Sequence, residues 1–122
     1  MRAIIIFVSL ALSSAIACAA ETQNKIPTNF QGLWASELRF CETNHEYNLR
    51  INSQSLEFWE SSGSALSIVT RGKNELALIV NFTGEGLEWI GFAHFQILSD
   101  ESKLIDISDP DPKNQLVRHR CP

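Results

Sequence analysis

Apolar and polar positions alternate with a period of two through most of this chain, most cleanly at Leu76, Leu78, Val80 and Phe82. That period sends successive side chains to opposite faces of a strand, so one face can be buried while the other meets water. Tyr47, Leu49 and Ile51 alternate in the same way with Asn48, Arg50 and Asn52. Leu56 and Phe58 begin a further inward face, Leu66, Ile68 and Val69 lie in a fourth strand, and Leu104, Ile105 and Ile107 in a seventh. Residues 87–98 are apolar on both faces. That suits a strand in the middle of a sheet, or one crossing a barrel corner at Gly91. Turn residues separate the runs, among them Ser61-Ser62-Gly63, Arg71-Gly72-Lys73-Asn74, Thr83-Gly84-Glu85-Gly86 and Asp109-Pro110-Asp111-Pro112. They recur roughly every ten residues, the spacing of an all-β meander.

The first strand is expected to open at Phe30-Gln31-Gly32-Leu33-Trp34 and run to Cys41, with Trp34, Leu38 and Phe40 on one face. The closing strand is expected from Leu116 to Arg120. Beyond the first 20 residues no segment carries a 3.6-residue period. About eight short antiparallel strands predict a small up-and-down barrel or a curled meander sheet, with a two-sheet β-sandwich as the alternative. Residues 21–29 are polar around Pro27 and are expected as a flexible lead-in. Residues 30–122 are then a single β domain.

Residues 1–20 have the pattern of an export signal: Met1-Arg2, an apolar run to Ala17, then small residues. The run is too short for a transmembrane helix, and no later segment is apolar enough for one. Ala15-Ile16-Ala17-Cys18 resembles a bacterial lipobox, which would make Cys18 a lipidation site, but it departs from the pattern at Ala15. Ordinary cleavage near residues 17–20 is the preferred reading. Either way Cys18 leaves the count, and Cys41 and Cys121 remain as an even pair. In an oxidising compartment such a pair forms a disulfide, here tying the first strand to the last. The expected location is the periplasm or the medium, with an outer-membrane lipoprotein as the alternative.

The net charge of −4 is spread without basic clusters. This argues against nucleic acid and against electrostatic docking on anionic lipid. His45, His94 and His119 lack metal-ligand spacing, no Gly-x-Ser-x-Gly elbow is present, and no cysteine is left free. Asp106, Asp109 and Asp111 lack the glycine and the terminal Glu of a calcium loop. No catalytic residue, metal or cofactor is therefore expected. Trp59 has the opposite parity to Leu56 and Phe58, so it points away from the core beside Glu57, and Trp89 follows the glycine-rich turn. With Glu85, Glu88 and His94 these are the candidate binding residues.

Gly32-x-Trp34 together with an Arg on the terminal strand resembles the lipocalin and wider calycin arrangement. The resemblance implies that Trp34 closes the barrel base and that Arg118 or Arg120 packs across it. The chain as a whole is similar to small exported proteobacterial proteins of unknown function. The shared features are Phe30-x-Gly32-x-Trp34, Leu56-x-Phe58-x-Glu60-Ser61, Gly84-Glu85-Gly86-x-x-Trp89 and Arg120-Cys121. The expected function is a monomeric, non-catalytic binding module for a small apolar ligand or an exported protein. The alternatives are an inhibitor of an exported protease or lysozyme, and an enzyme assembled from separate strands. An open barrel interior would favour ligand carriage, and a filled one protein contact.

Overall fold

The computed structural model describes residues 3–5, 19–98 and 100–122. The expected signal peptide, including Cys18, falls almost wholly outside them. The described residues form nine strands: β1 (Ala20–Gln23), β2 (Gly32–Ala35), β3 (Leu49–Ile51), β4 (Ser55–Glu57), β5 (Ser62–Arg71), β6 (Glu75–Gly84), β7 (Leu87–Ile97), β8 (Lys103–Asp106) and β9 (Leu116–Arg120). From β2 to β9 each strand pairs antiparallel with its sequence neighbour, and β9 returns to pair with β2. The sheet thus closes into an eight-stranded up-and-down barrel, not a sandwich. Closure leaves no sheet edge to be covered except where neighbouring strands differ in length.

The ninth strand, β1, lies along the C-terminal half of β5, with Glu21 opposite Thr70. This differs from the flexible lead-in expected over residues 21–29. Ile26 is buried and donates its N–H to Ser53 O at 2.7 Å, and Phe30 at the end of a 3-10 turn is buried as well. Two apolar side chains in a polar stretch are enough to anchor it, because they cap the barrel base.

Barrel closure rests on few residues. Between β2 and β9 only Trp34 with Arg120 and Ala35 with His119 are in register. The arginine over Trp34 is Arg120, its Cζ 4.2 Å from the ring centroid. Its Nε donates to Glu101 O at 2.9 Å and its Nη1 to Gln31 O at 3.1 Å, while Nη2 donates to Asn29 O. Trp34 is fully buried and donates Nε1–H to Phe30 O at 2.9 Å. Arg118 lies deeper inside. Its Nε donates to Tyr47 O at 2.8 Å, and its Nη1 sits 3.6 Å from Asp106 Oδ2. Burial pushes its pKa down and Asp106 opposes that shift. A guanidinium keeps its charge in either case.

The first barrel strand is shorter than its pattern suggests. It stops at Ala35, and Leu38–Phe40 form a 3-10 turn, with Leu38 exposed. The disulfide between Cys41 and Cys121 requires this. Cys121 N–H bonds Leu33 O at 2.9 Å, and the two cysteine Cα atoms are 5.6 Å apart. An extended strand would carry Cys41 about 26 Å beyond Leu33. The chain therefore doubles back along the outside of the barrel.

Inside, side chains from every part of the ring fill the space, led by Trp34, Phe30, Phe95, Leu49, Leu76 and Leu104 at 0–1% exposure. The β6–β7 hairpin turns through two residues, Glu85 and Gly86, with φ of 52° and 76°. Positive φ at both central positions is the type I′ signature. Gly91 is not a corner. Pairing runs straight through it opposite Val80, and a Cβ there would stand 2.6 Å from the Phe82 ring.

Removing the disulfide (Cys41→Ser with Cys121→Ser) is expected to cost about 4 kcal/mol, from the long loop it closes. Urea unfolding, with the m-value fitted for each form because the unbridged chain exposes more surface, would measure it. Arg120→Lys is expected to lose about 2 kcal/mol, because an ammonium cannot reproduce the planar fork over Trp34. Full stability in Arg120→Lys would show that the base closes without the guanidinium.

Candidate functional site

Leu33 on β2, Arg50 on β3 and Glu57 on β4 stand in one outward-facing row. The returning loop that carries Cys41 folds over this row. Asn48 pins it from below, its Nδ2 donating to Phe40 O at 2.9 Å and to Thr43 O at 2.8 Å. The loop also packs on itself. Arg39 lies over the Phe40 ring, and Phe40 stacks on His45 with centroids 3.6 Å apart. On the other side, the turn after β4 brings up Trp59, 47% exposed. Between loop and turn lies a cleft of about 330 Å³, lined by Leu33, Glu42, Asn44, Asn48, Arg50, Glu57 and Trp59 among others.

The cleft mixes one indole with charges of both signs. Arg50 Nε and Glu57 Oε2 are 3.8 Å apart, and both side chains are about half exposed. A pair of that kind is weak and is free to reorient toward an incoming group. Asn48 is only 8% exposed, and among the described residues its Oδ1 has no hydrogen-bond partner. Buried acceptors left open are uncommon in folded proteins. This one sits in the wall of the cleft.

The other sequence-predicted residues do not gather in one place. Trp89 lies at one end of the barrel and stacks on Phe82, centroids 5.6 Å apart, with Phe58 next at 6.0 Å from Phe82. Glu85 meets Glu60, not Glu88. Its hydrogen bond and its charge both hold the Glu60 carboxyl above the ordinary carboxylate range. Glu88 accepts from Asn81 Nδ2 at 2.8 Å on the outer face. His94, further along β7, has its Nε2 2.8 Å from Glu75 Oε1. Among the described residues no three His, Cys, Asp or Glu side chains converge as metal ligands would. Nor is any helix long and apolar enough to cross a membrane.

Sequence reasoning missed Glu42, Asn44, Asn48 and Arg50 as neighbours of Trp59. Their adjacency depends on the loop doubling back, and the demand that Cys41 reach Cys121 was the signal that could have found it. Comparison with family models, with curated proteins and with solved structures found no match. The geometry alone carries the reading.

The Glu60–Glu85 contact gives stability a pH slope. A raised carboxyl pKa means the folded state holds a proton that the unfolded chain releases, so stability falls as pH rises through that window. Glu60→Gln is expected to flatten the slope of Tm against pH just above the ordinary carboxylate pKa of about 4.3. An unchanged slope would remove the pair as its source.

Proposed function

We propose that this chain is an exported, non-catalytic binding module that engages a protein partner through the Trp59 cleft. The single observation that carries the reading is a half-exposed tryptophan standing over a cleft built by the disulfide-tied loop. Tryptophan and arginine are the residue types that most often dominate binding energy at protein contacts, and Trp59 and Arg50 face the same cleft. The filled interior supports the choice of partner, since an apolar ligand carried inside needs a few hundred Å³ that Trp34, Phe95 and Leu76 already occupy. The disulfide supports export, because such bonds persist in oxidising compartments. The acidic pairs stand on exposed turns and His94 is engaged by Glu75, an arrangement that favours binding over catalysis.

Placing a photoreactive p-benzoylphenylalanine at position 59, in the cell that makes the protein, tests the assignment. One discrete protein adduct is expected from position 59 and none from the exposed control position Val117 on β9. The same adducts at both positions, or none at either, would defeat the reading. So would a stoichiometric lipid retained by the purified native protein.

A further inference from the structure

We infer that the Trp59 cleft receives a cationic side chain, lysine or arginine, from the partner protein. The inference rests on the cleft reading and deepens it by naming the group that enters. Charge comes first. Glu42 and Glu57 bring two carboxylates into the lining against the single guanidinium of Arg50. Arg50 already has Glu57 at 3.8 Å, whereas Glu42 makes no ion pair among the described residues. The cleft is therefore short of one positive charge.

Asn48 adds to that imbalance. Its amide is locked by two donated bonds, from Nδ2 to Phe40 O and to Thr43 O, which consume its positive end. The negative end, Oδ1, meets no N–H among the described residues. Being buried, it acts through a medium that screens poorly, so its partial charge favours a cation in the cleft without direct contact. Trp59 supplies the remaining feature. An indole face attracts Lys and Arg more strongly than other aromatic rings do, and this residue is half exposed at the cleft.

Other occupants leave part of the lining unmet. A carboxylate or phosphate would find one guanidinium, already shared, and two carboxylates that repel it. An apolar anchor such as Leu or Phe would suit Trp59 and Leu33, yet it would dehydrate Glu42 and Glu57 with nothing in return. A lysine or arginine meets every group at once, because its head has donors and no acceptor. Its methylene stem packs on Leu33 and Trp59 while the charged head meets the carboxylates. The cleft volume of about 330 Å³ is at the small end for ligand sites, which suits one long side chain.

The probes are the acetylated N-methylamides of lysine and arginine, with that of norleucine as the uncharged control. NMR titration of the nitrogen-labelled protein reads the Trp59 indole N–H and the Asn48 side-chain amide. Lysine or arginine is expected to shift both saturably, with a midpoint of about 1–10 mM, while norleucine shifts neither. Glu42→Gln with Glu57→Gln should weaken that binding about tenfold. Both positions are exposed, so the fold is kept. Norleucine binding equally well, no saturable shift with either cation, or a double variant that binds as the wild type does would each overturn the inference. The adduct at position 59 separates the two readings. If it forms as expected and the double variant leaves its yield unchanged, the cation fails and the cleft reading stands. If the cations bind but no adduct forms, the protein partner fails and the cation site stands.

Discussion

The structure depends on joining β2 to β9. Every other pairing in the barrel links strands adjacent in sequence, most by short turns, so its loop-closure cost is small. The β2–β9 pairing instead closes nearly the whole domain with two residue pairs. Two register pairs cannot hold a ring shut. What holds it is the stack of Arg120 on Trp34, the three carbonyls that take the same guanidinium, and the bond from Cys41 to Cys121. The carbonyls belong to Asn29, Gln31 and Glu101, so one side chain on β9 ties the segment leading into β2 to the β7–β8 connection. Arginine suits this because it presents several donors in one rigid plane while its face remains free for an aromatic ring.

That constraint shapes the outer surface as well. Because Cys121 sits beside Leu33, the chain after β2 must return past the point where it left the barrel. The returning loop needs support against the barrel wall, and Asn48 supplies it by giving both amide hydrogens to loop carbonyls. One consequence is the buried, unpartnered Oδ1 of Asn48. Another is the cleft itself, which exists because the loop stands off the Leu33–Arg50–Glu57 row. The closure of the barrel and the candidate site thus share a cause.

Much of the barrel was legible in the chain. Period-two runs placed β6 and β9 almost to the residue, and the even cysteine pair pointed to the Cys41–Cys121 disulfide. The misjudged pieces share a feature: long-range contacts override the local pattern there. Leu38 and Phe40 keep strand parity with Trp34, yet the disulfide turns the backbone before they can use it. The polarity of residues 21–29 suggested disorder, but two apolar side chains and one edge of β5 hold them in place. The Trp59 cleft was half legible, since parity turned Trp59 outward but gave no hint of what would stand opposite.

Strand β7 shows how one pattern can bear two meanings. Apolar residues on both faces normally mark a strand covered on both sides, and the C-terminal part of β7 fits that, with Phe95 and Ile97 buried. Its N-terminal part carries the same pattern without the cover, because β8 is too short to reach it. In a protein whose other surface apolar groups are scattered, that mismatch concentrates the unmet burial on one edge. The step from large to small residues there, Leu87 and Trp89 to Gly91 and Ala93, has two sources. Gly91 is fixed from within, because the Phe82 ring fills the space its Cβ would take. Trp89 is held from within too, by stacking on the same ring. The barrel's own packing thus accounts for both residues.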